Sequence, residues 1–506
     1  GVLDEDSEGD KLALIAEALT EALRRLPAAD RRDDDPSDEA AARRASARES
    51  VEECGLALEP DEFVMVLGYP GSTSRTNTAT ETRHAVDFVY PYYIAYLKQR
   101  YEIAEAHLKH AGETGIKAGV AKQSIQNGIE SYEGTLKGLT SGDLLQRKAE
   151  LDKKVKDWVA QPGREQHKAA LDRLEQLLAE SMRTASTDLA RRIAFGGSSL
   201  LDTALSFTRW AEERAKKDPD RKPGFQDRDL VDAVAEQMQF AKSYDRTLDR
   251  AHFRLALTRA AKLPDADRPW LATLLGTKPG VAIDDALIDR TLESWYAGQR
   301  LEDEKLRLEL QQKGTSAQLK SHRDPFVQAA QLIWPIVKAE EKKTDARYGD
   351  LMLLTPVYVD ATRAVLGGLL APDANSTLRI NYGTVKSFKP SSSDPADSPF
   401  TTASQIIAKD KGKLPFDSPK KLLEAIKAKR YGAYASPLLG GELAVDFLSD
   451  LDTAGGNSGS PTLDDKGEII GLVFDGNLES AASDVVFNGA TTRTIHVDAR
   501  YMLWTM

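Results

Sequence analysis

The chain has 506 residues, of which 41% are hydrophobic and 29% charged, and this balance reads as a soluble globular protein of roughly two to four domains. Its net charge of -11, without clustered Lys and Arg among aromatic residues, argues against nucleic acid as a partner. The single cysteine, Cys54, excludes an intrachain disulfide and a Cys/His zinc site, and no apolar run reaches the roughly 18 residues of a membrane span.

The first 55 residues have an atypical composition. Residues 11–26 carry Leu and Ile at helical spacing and predict one amphipathic helix that ends before Pro27. Residues 28–50 are mostly Ala, Arg, Asp and Glu, and such a segment has too little apolar content to order itself. We interpret it as a solvated linker, although an out-of-frame stretch of a GC-rich gene would look similar. The chain opens on Gly1 without a signal peptide, so we expect processing or a fragment.

The next segment predicts a strand followed by a long helical block. Residues 63–71 (FVMVLGYPG) are an apolar run ended by Pro and Gly, which is typical of a buried strand entering a turn. We assign residues 56–80 to a remnant of a first β-barrel and residues 81–368 to an inserted α-helical domain. Its Glu/Lys/Arg-rich helices indicate solvated faces, and the longest are expected at residues 86–111, 141–160, 164–195, 228–261 and 284–312.

Residues 369–506 change to β-type signals. One short helix is expected at residues 419–428, and strands are expected at residues 377–385, 444–448, 468–474 and 493–497. Short strands with turn signals are typical of a barrel or sandwich. The order of elements therefore predicts an α+β protein in which a helical domain interrupts a β-barrel enzyme.

The motif that carries chemistry is residues 455–461, Gly-Gly-Asn-Ser-Gly-Ser-Pro. A serine nucleophile needs an exposed hydroxyl and nearby backbone N–H groups that point at the developing oxyanion, and small residues allow the backbone to turn tightly. We predict Ser458 as the nucleophile, with an oxyanion hole formed by the N–H groups of Gly456 and Ser458. A plain Gly/Ser turn is the alternative, and the apolar strand that follows Pro461 argues against it.

A general base for Ser458 is not evident in the sequence. The base would be a histidine oriented by a carboxylate. Five of the seven histidines lie in the helical block and are expected to be surface or packing residues: His107, His110, His167, His252 and His322. The two others, His84 and His496, flank the predicted strands and are the first candidates to test.

Several segments resemble the bacterial dipeptidyl-peptidases seven and eleven, a family of serine exopeptidases. The resemblance covers about residues 60–506, is strongest in the last third, and rests on residues 63–75, 372–379, 415–417, 445–448, 455–461, 474–477 and 494–501. It implies a chymotrypsin-like double β-barrel with a large inserted helical domain. It further implies a periplasmic or cell-surface location and chemistry without a metal or an organic cofactor.

The resemblance also assigns two residues after the serine. Asp475 matches the family's aspartate that holds the free α-ammonium of the substrate, although an Asp-Gly pair is also an ordinary hairpin signal. Gly476 occupies the position that sorts specificity in the family, where an arginine would pair with an acidic P1 side chain. Glycine there implies an open, uncharged S1 pocket and a preference for apolar P1 residues.

The sequence departs from the family in two places. Nothing in residues 1–59 resembles the segment with the catalytic His and Asp, and residues 118–123 lack the family's asparagine, for which Asn127 is a poor substitute. We therefore expect the first barrel to be largely missing, through a fragment, a misread 5′ region or a decayed homologue.

Three functions stay open. A serine dipeptidyl aminopeptidase is favoured because the Ser458 loop is intact. An inactive homologue that binds peptide N-termini is the second, and a chymotrypsin-like endopeptidase, against which Asp475 and Gly476 argue, is the third. The expected partner is an oligopeptide substrate, with a homodimer as a candidate assembly.

Overall fold

The computed structural model describes residues 58–278, 280–368, 370–389, 398–413 and 416–506. The expectations for residues 1–55 fall outside this part of the chain. The described residues form two compact units. Residues 58–78, 134–148 and 370–506 make up a sheet unit, and residues 79–133 and 149–368 make up a helical unit. The protein is α+β, mostly helical with one antiparallel sheet.

The sheet has seven strands in the order β2-β1-β5-β6-β7-β4-β3, and every pair is antiparallel. An isolated bridge between Val385 and Ser449 brings the end of β2 against β4, so the sheet curls until these strands meet. The strands are β1 (Phe63–Gly68), β2 (Arg379–Thr384), β3 (Phe400–Thr402), β4 (Ala444–Ser449), β5 (Pro461–Leu463), β6 (Ile469–Gly476) and β7 (Thr494–Asp498).

Alternation of side chains builds the core of the sheet unit. Val64 and Val66 of β1 are fully buried on one face, where they pack with Phe447 and Val473. Met65, between them in sequence, points to the other face and packs against Leu463. Each such side chain contributes roughly 1.5–3 kcal/mol through burial. This is the period-2 pattern that predicts the strand from sequence.

Strand β1, assigned from the sequence to a remnant of a first β-barrel, pairs with strands of the C-terminal segment. β1 pairs with β2 over six residues, from Phe63 opposite Thr384 to Gly68 opposite Arg379, and its other edge pairs with β5. The strand assigned to a first-barrel remnant is therefore an inner strand of the same sheet as the C-terminal strands. Residues 134–148, expected in the helical domain, also group with the sheet unit.

Helices occupy most of residues 79–366. A π-helical turn, Ala85–Val89, joins the first two, and Asp245 and Asp303 each cap a new helix where the sequence predicts one continuous helix. The helices are α1 (Ala79–His84), α2 (Tyr90–His107), α3 (Glu113–Thr140), α4 (Leu144–Val159), α5 (Glu165–Phe195), α6 (Ser199–Arg214), α7 (Leu230–Ser243), α8 (Arg246–Ala260), α9 (Pro269–Leu274), α10 (Asp285–Gly298), α11 (Glu304–Lys313), α12 (Ser316–Ser321) and α13 (Pro325–Leu366).

The core of the helical unit is formed mainly by α6, α8, α9, α10 and α13. Its largest fully buried side chains include Phe207, Phe253, Leu271 and Phe326. Three shorter helices lie in the C-terminal segment: α14 (Ala403–Lys409), α15 (Lys420–Lys427) and α16 (Ala499–Thr505).

Candidate active site

The loop between β4 and β5 carries the predicted nucleophile. Ser458 is exposed, and its hydroxyl donates a long hydrogen bond of 3.4 Å to the carbonyl oxygen of Phe474. Gly456 and Gly459 have φ angles of 105° and 84°, in the region that only glycine adopts without strain. The two glycines therefore shape the sharp turn that presents Ser458.

The nucleophile loop is held to the segment that follows β1 by a backbone hydrogen bond and by close packing. The Gly71 N–H donates to the Gly455 carbonyl oxygen over 2.6 Å. A Cβ on Gly456 would lie 2.6 Å from the Tyr69 carbonyl oxygen and 2.7 Å from the Gly71 nitrogen. The backbone of the Gly-Tyr-Pro-Gly motif, residues 68–71, therefore packs directly against the backbone of the serine loop and supports it.

Asn457, beside the nucleophile, is buried to 1% exposure. Neither atom of its side-chain amide has a hydrogen-bond partner among the described residues. A Cβ on Gly68 would lie 2.5 Å from Ser460 Oγ and closer still to Asn457 Oδ1. Asn457 is thus fixed by packing against the bare backbone of Gly68.

The backbone N–H groups predicted to form an oxyanion hole are free in the described part of the chain. Neighbouring amides are used, since Asn457 N–H donates to Ala454 O over 3.1 Å and Gly459 N–H donates to Val473 O over 2.7 Å. No hydrogen bond from the N–H of Gly456 or Ser458 to a described residue is present. Both groups are available to a developing negative charge.

Strand β6 runs past Ser458 and brings Asp475 beside it. The pairing of β6 with β7 shifts between Val473 and Asp475, so Phe474 forms a bulge, and both Phe474 and Asp475 are exposed. Bulges next to active sites commonly redirect a side chain. The Asp475 carboxylate accepts from the Gly476 N–H over 2.8 Å and has no cation partner among the described residues. It is available to a substrate ammonium group.

The space on the Cβ side of Gly476 is occupied by Ser480. A Cβ at position 476 would overlap Ser480 Oγ and lie 3.1 Å from Ser480 Cβ. Ser480 belongs to the short 3₁₀ turn Leu478–Ala482 that directly follows β6. The glycine is therefore needed to accommodate this turn.

His496 is not the base of Ser458. It is fully buried in β7, where its Nε2 bonds Ser449 Oγ over 2.6 Å and its Nδ1 bonds Thr462 Oγ1 over 2.7 Å. Its ring stacks on Phe447, and burial lowers its pKa to about 3. Among the described residues of the sheet unit His496 is the one histidine, and its role is structural. His84, the other candidate, belongs to the helical unit and stacks on Phe88.

An ion pair that the sequence did not predict lies close to the serine loop. Both terminal nitrogens of Arg75 bond the two carboxylate oxygens of Asp452, six residues before Ser458, and its Nε donates to the Ser483 carbonyl over 2.9 Å. The pair ties the segment after β1 to the start of the nucleophile loop.

Asp373 anchors the same segment. Its carboxylate accepts from the hydroxyl and the N–H of Thr76, from Thr73 Oγ1 over 2.5 Å and from the Arg75 N–H over 2.7 Å. Burial alone would raise the pKa of Asp373, but these hydrogen bonds outweigh burial and lower the pKa below its usual value. The only sequence signal for this network was the recurrence of Thr and Arg after the Gly-Tyr-Pro-Gly motif.

The described residues contain neither a metal-binding cluster nor a membrane-spanning helix. No group of three His, Cys, Asp or Glu side chains there could hold a metal ion. None of the described helices is both long enough and apolar enough to cross a membrane.

The family model for peptidase S46 matches residues 51–506. The chain belongs to the peptidase S46 family. Among its S46 relatives, an Asp/Glu-specific dipeptidyl-peptidase of Shewanella putrefaciens is 30% identical, over 89% of this chain and 63% of the relative. Dipeptidyl-peptidase 7 of Capnocytophaga gingivalis is 27% identical, over 88% and 61%. The resemblance inferred from the motifs is thereby confirmed.

Solved structures share the fold of this chain. The crystal structure of Porphyromonas endodontalis DPP11 in complex with the dipeptide Arg-Glu superposes with a TM-score of 0.68 at 22% identity, over 88% of this chain and 63% of that one. At this identity the likeness shows the fold. The chain spans somewhat under two thirds of the length of these relatives.

Proposed function

We propose that this S46 chain carries the nucleophile half of a serine dipeptidyl aminopeptidase, which releases dipeptides from the N-terminus of oligopeptides. One observation carries the proposal. An exposed serine and two backbone N–H groups without a partner among the described residues lie beside a strand whose Asp475 carboxylate has no cation partner in that part of the chain. The curled antiparallel sheet and the glycine-rich serine loop are what a chymotrypsin-like barrel requires, and we extend the proposal to that fold.

We propose a role for each residue. Asp475 binds the α-ammonium group of the substrate, so that the second peptide carbonyl reaches Ser458. The Ser458 oxygen attacks that carbonyl carbon, and the oxyanion receives hydrogen bonds from the N–H groups of Gly456 and Ser458. The serine proton passes through a general base to the leaving amine, and water then hydrolyses the acyl-enzyme to release the dipeptide. His496 does not supply the base, because both of its nitrogens are occupied.

The preference for the P1 side chain is proposed to be apolar. Gly476 adds no charge, and its neighbour Ser480 adds only a hydroxyl. Two nearby cations are already bound: Arg75 by Asp452, and Arg493 by backbone carbonyls that include Ser387 O and Gly489 O. The Shewanella relative is named for Asp/Glu specificity, which makes an acidic P1 residue the second candidate.

Two alternatives to an active exopeptidase are tested together with it. An inactive homologue would bind peptide N-termini without cleavage, and an endopeptidase would ignore the state of the N-terminus. A periplasmic or cell-surface location is a further proposal from family resemblance, and fractionation of the native cells would test it.

Because the chain is proposed to carry only the nucleophile half, the test uses the protein at the length that its native cells make. It compares that parent protein with its Ser458→Ala variant on dipeptidyl-coumarins that carry Leu or Glu at P1, each with a free and an acetylated N-terminus. We expect serine-dependent release from the free-amine Leu substrate and none from the acetylated forms. Equal release from acetylated substrates would favour the endopeptidase. Absence of turnover, with Arg-Leu still bound in calorimetry, would favour the peptide-binding homologue.

A further inference from the structure

The short turn after β6 packs against Gly476, the position that the family resemblance assigns to the P1 side chain. Ser480 lies in this turn, and its hydroxyl donates to the Asn477 carbonyl over 2.6 Å, which fixes the side-chain rotamer. In this rotamer the Ser480 Oγ occupies the volume that a Cβ at position 476 would need, and the Ser480 Cβ would lie 3.1 Å away. Rotating Ser480 would move its Oγ away from the new Cβ. It would also break the hydrogen bond to Asn477 and leave the 3.1 Å contact with the Ser480 Cβ.

The turn cannot move away easily. The Asn477 side chain bonds Thr491 O over 2.8 Å and accepts from the Arg493 N–H over 2.9 Å, so the start of the turn is tied to the segment before β7. From the other side, Thr135 Oγ1 donates to Ala481 O over 2.8 Å.

Close packing adds to these bonds. A Cβ on Gly138 would lie only 2.6 Å from Ala482 Cβ, so the residues that precede α4 leave no room behind the turn. Ser480 is therefore held against Gly476 from both sides.

We propose that Ser480 is a specificity-determining residue, which excludes every side chain larger than hydrogen from position 476 and so keeps that wall of the site uncharged. The role in specificity rests on the proposed dipeptidyl-peptidase function, whereas the steric block does not depend on it. It implies that a basic residue at position 476, as acidic P1 recognition would require, is accommodated only when residue 480 is also reduced to glycine.

Unfolding midpoints test the steric block without any activity. We expect Gly476→Ala to lower the midpoint by several degrees, Gly476→Ala with Ser480→Ala to recover part of the loss, and Gly476→Ala with Ser480→Gly to recover most of it. The Ser480→Ala and Ser480→Gly single variants complete the cycle, which isolates the coupling between the two positions. Additive effects, or an unchanged midpoint in Gly476→Ala, would overturn the block.

Dipeptide binding tests the role in specificity. Calorimetry with Arg-Leu and Arg-Glu is run on the parent, on Gly476→Arg and on Gly476→Arg with Ser480→Gly. We expect the affinity ratio to shift at least tenfold toward Arg-Glu only in the double variant. An equal shift in Gly476→Arg alone would overturn the inference. If neither dipeptide binds the parent or any variant, the proposed function fails, and with it the role in specificity, while the midpoints still decide whether Ser480 blocks position 476.

Discussion

Replacing Gly68 by alanine should displace the serine loop through its contact with β1, without a direct contact with the substrate. Gly68 ends β1, and its bare backbone faces Asn457 and Ser460. The new Cβ would lie 2.5 Å from Ser460 Oγ and closer to Asn457 Oδ1, whereas carbon–oxygen contacts normally begin at roughly 3.3 Å. The loop must therefore shift by about 1 Å.

The size of the effect follows from the lack of free space. Asn457 is 1% exposed, and its backbone is tied to Ala454 and Ser460 by hydrogen bonds of 3.1 and 2.9 Å. Overpacking of this kind costs about 1–3 kcal/mol of unfolding free energy. Because Asn457 directly precedes Ser458, the displacement reaches the nucleophile, and a 1 Å misplacement lowers kcat by about 100-fold.

The assay pairs urea unfolding with serine-dependent coumarin release. Gly142→Ala is the matched control, since Gly142 lies in the same sheet unit and a Cβ there would meet nothing within 4 Å. We expect the control to retain the parent's stability and kcat. If Gly68→Ala retained both as well, the packing of Asn457 against β1 would have no part in positioning the serine.

Three further predictions follow from the site. Burial lowers the pKa of His496 to about 3, from 6.5 in the unfolded chain. The contribution of neutral His496 to the unfolding free energy is therefore complete above pH 6.5 and falls by roughly 1.4 kcal/mol per pH unit below that pH. Urea unfolding at pH 7 and pH 5 should show a smaller loss of unfolding free energy for His496→Gln than for the parent. Arg75→Lys should lower the unfolding free energy by about 1–2 kcal/mol in the same assay, since an ammonium group cannot bond both oxygens of Asp452. Asp475→Asn should raise KM for free-amine substrates by about 10–100-fold, measured by steady-state kinetics, and an unchanged KM would contradict its role in binding the ammonium group.

Local patterns predicted five of the seven strands and missed the two three-residue strands β3 and β5. The expected strand at residues 444–448 is β4, Ala444–Ser449, and the one at 493–497 is β7, Thr494–Asp498, because alternation with one buried face is a strong signal. The expected helix at residues 228–261 breaks at Asp245, whose side chain caps α8. Apolar periodicity continues across that break, so the periodicity alone could not reveal it.

The site was predictable where its residues are neighbours in sequence, as in the loop around Ser458. It was not predictable where distant segments meet. The packing of Gly68 against Asn457 and the ion pair of Arg75 with Asp452 each join segments separated by almost the whole chain, and no spacing rule links them. The role of Ser480 was not predictable for a different reason. It depends on the space that the missing side chain of Gly476 leaves for Ser480.

The pairing of β1 with β2 has a consequence for synthesis on the ribosome. Thr73, just after β1, bonds Asp373, which precedes β2 and lies 300 residues further along the chain. At about 5–20 residues per second, β1 emerges roughly 15–60 s before its neighbour exists. Throughout that interval the valines of β1, fully buried in the finished protein, have no sheet to join. The strand therefore waits unpaired, and the helical unit has that time to fold first.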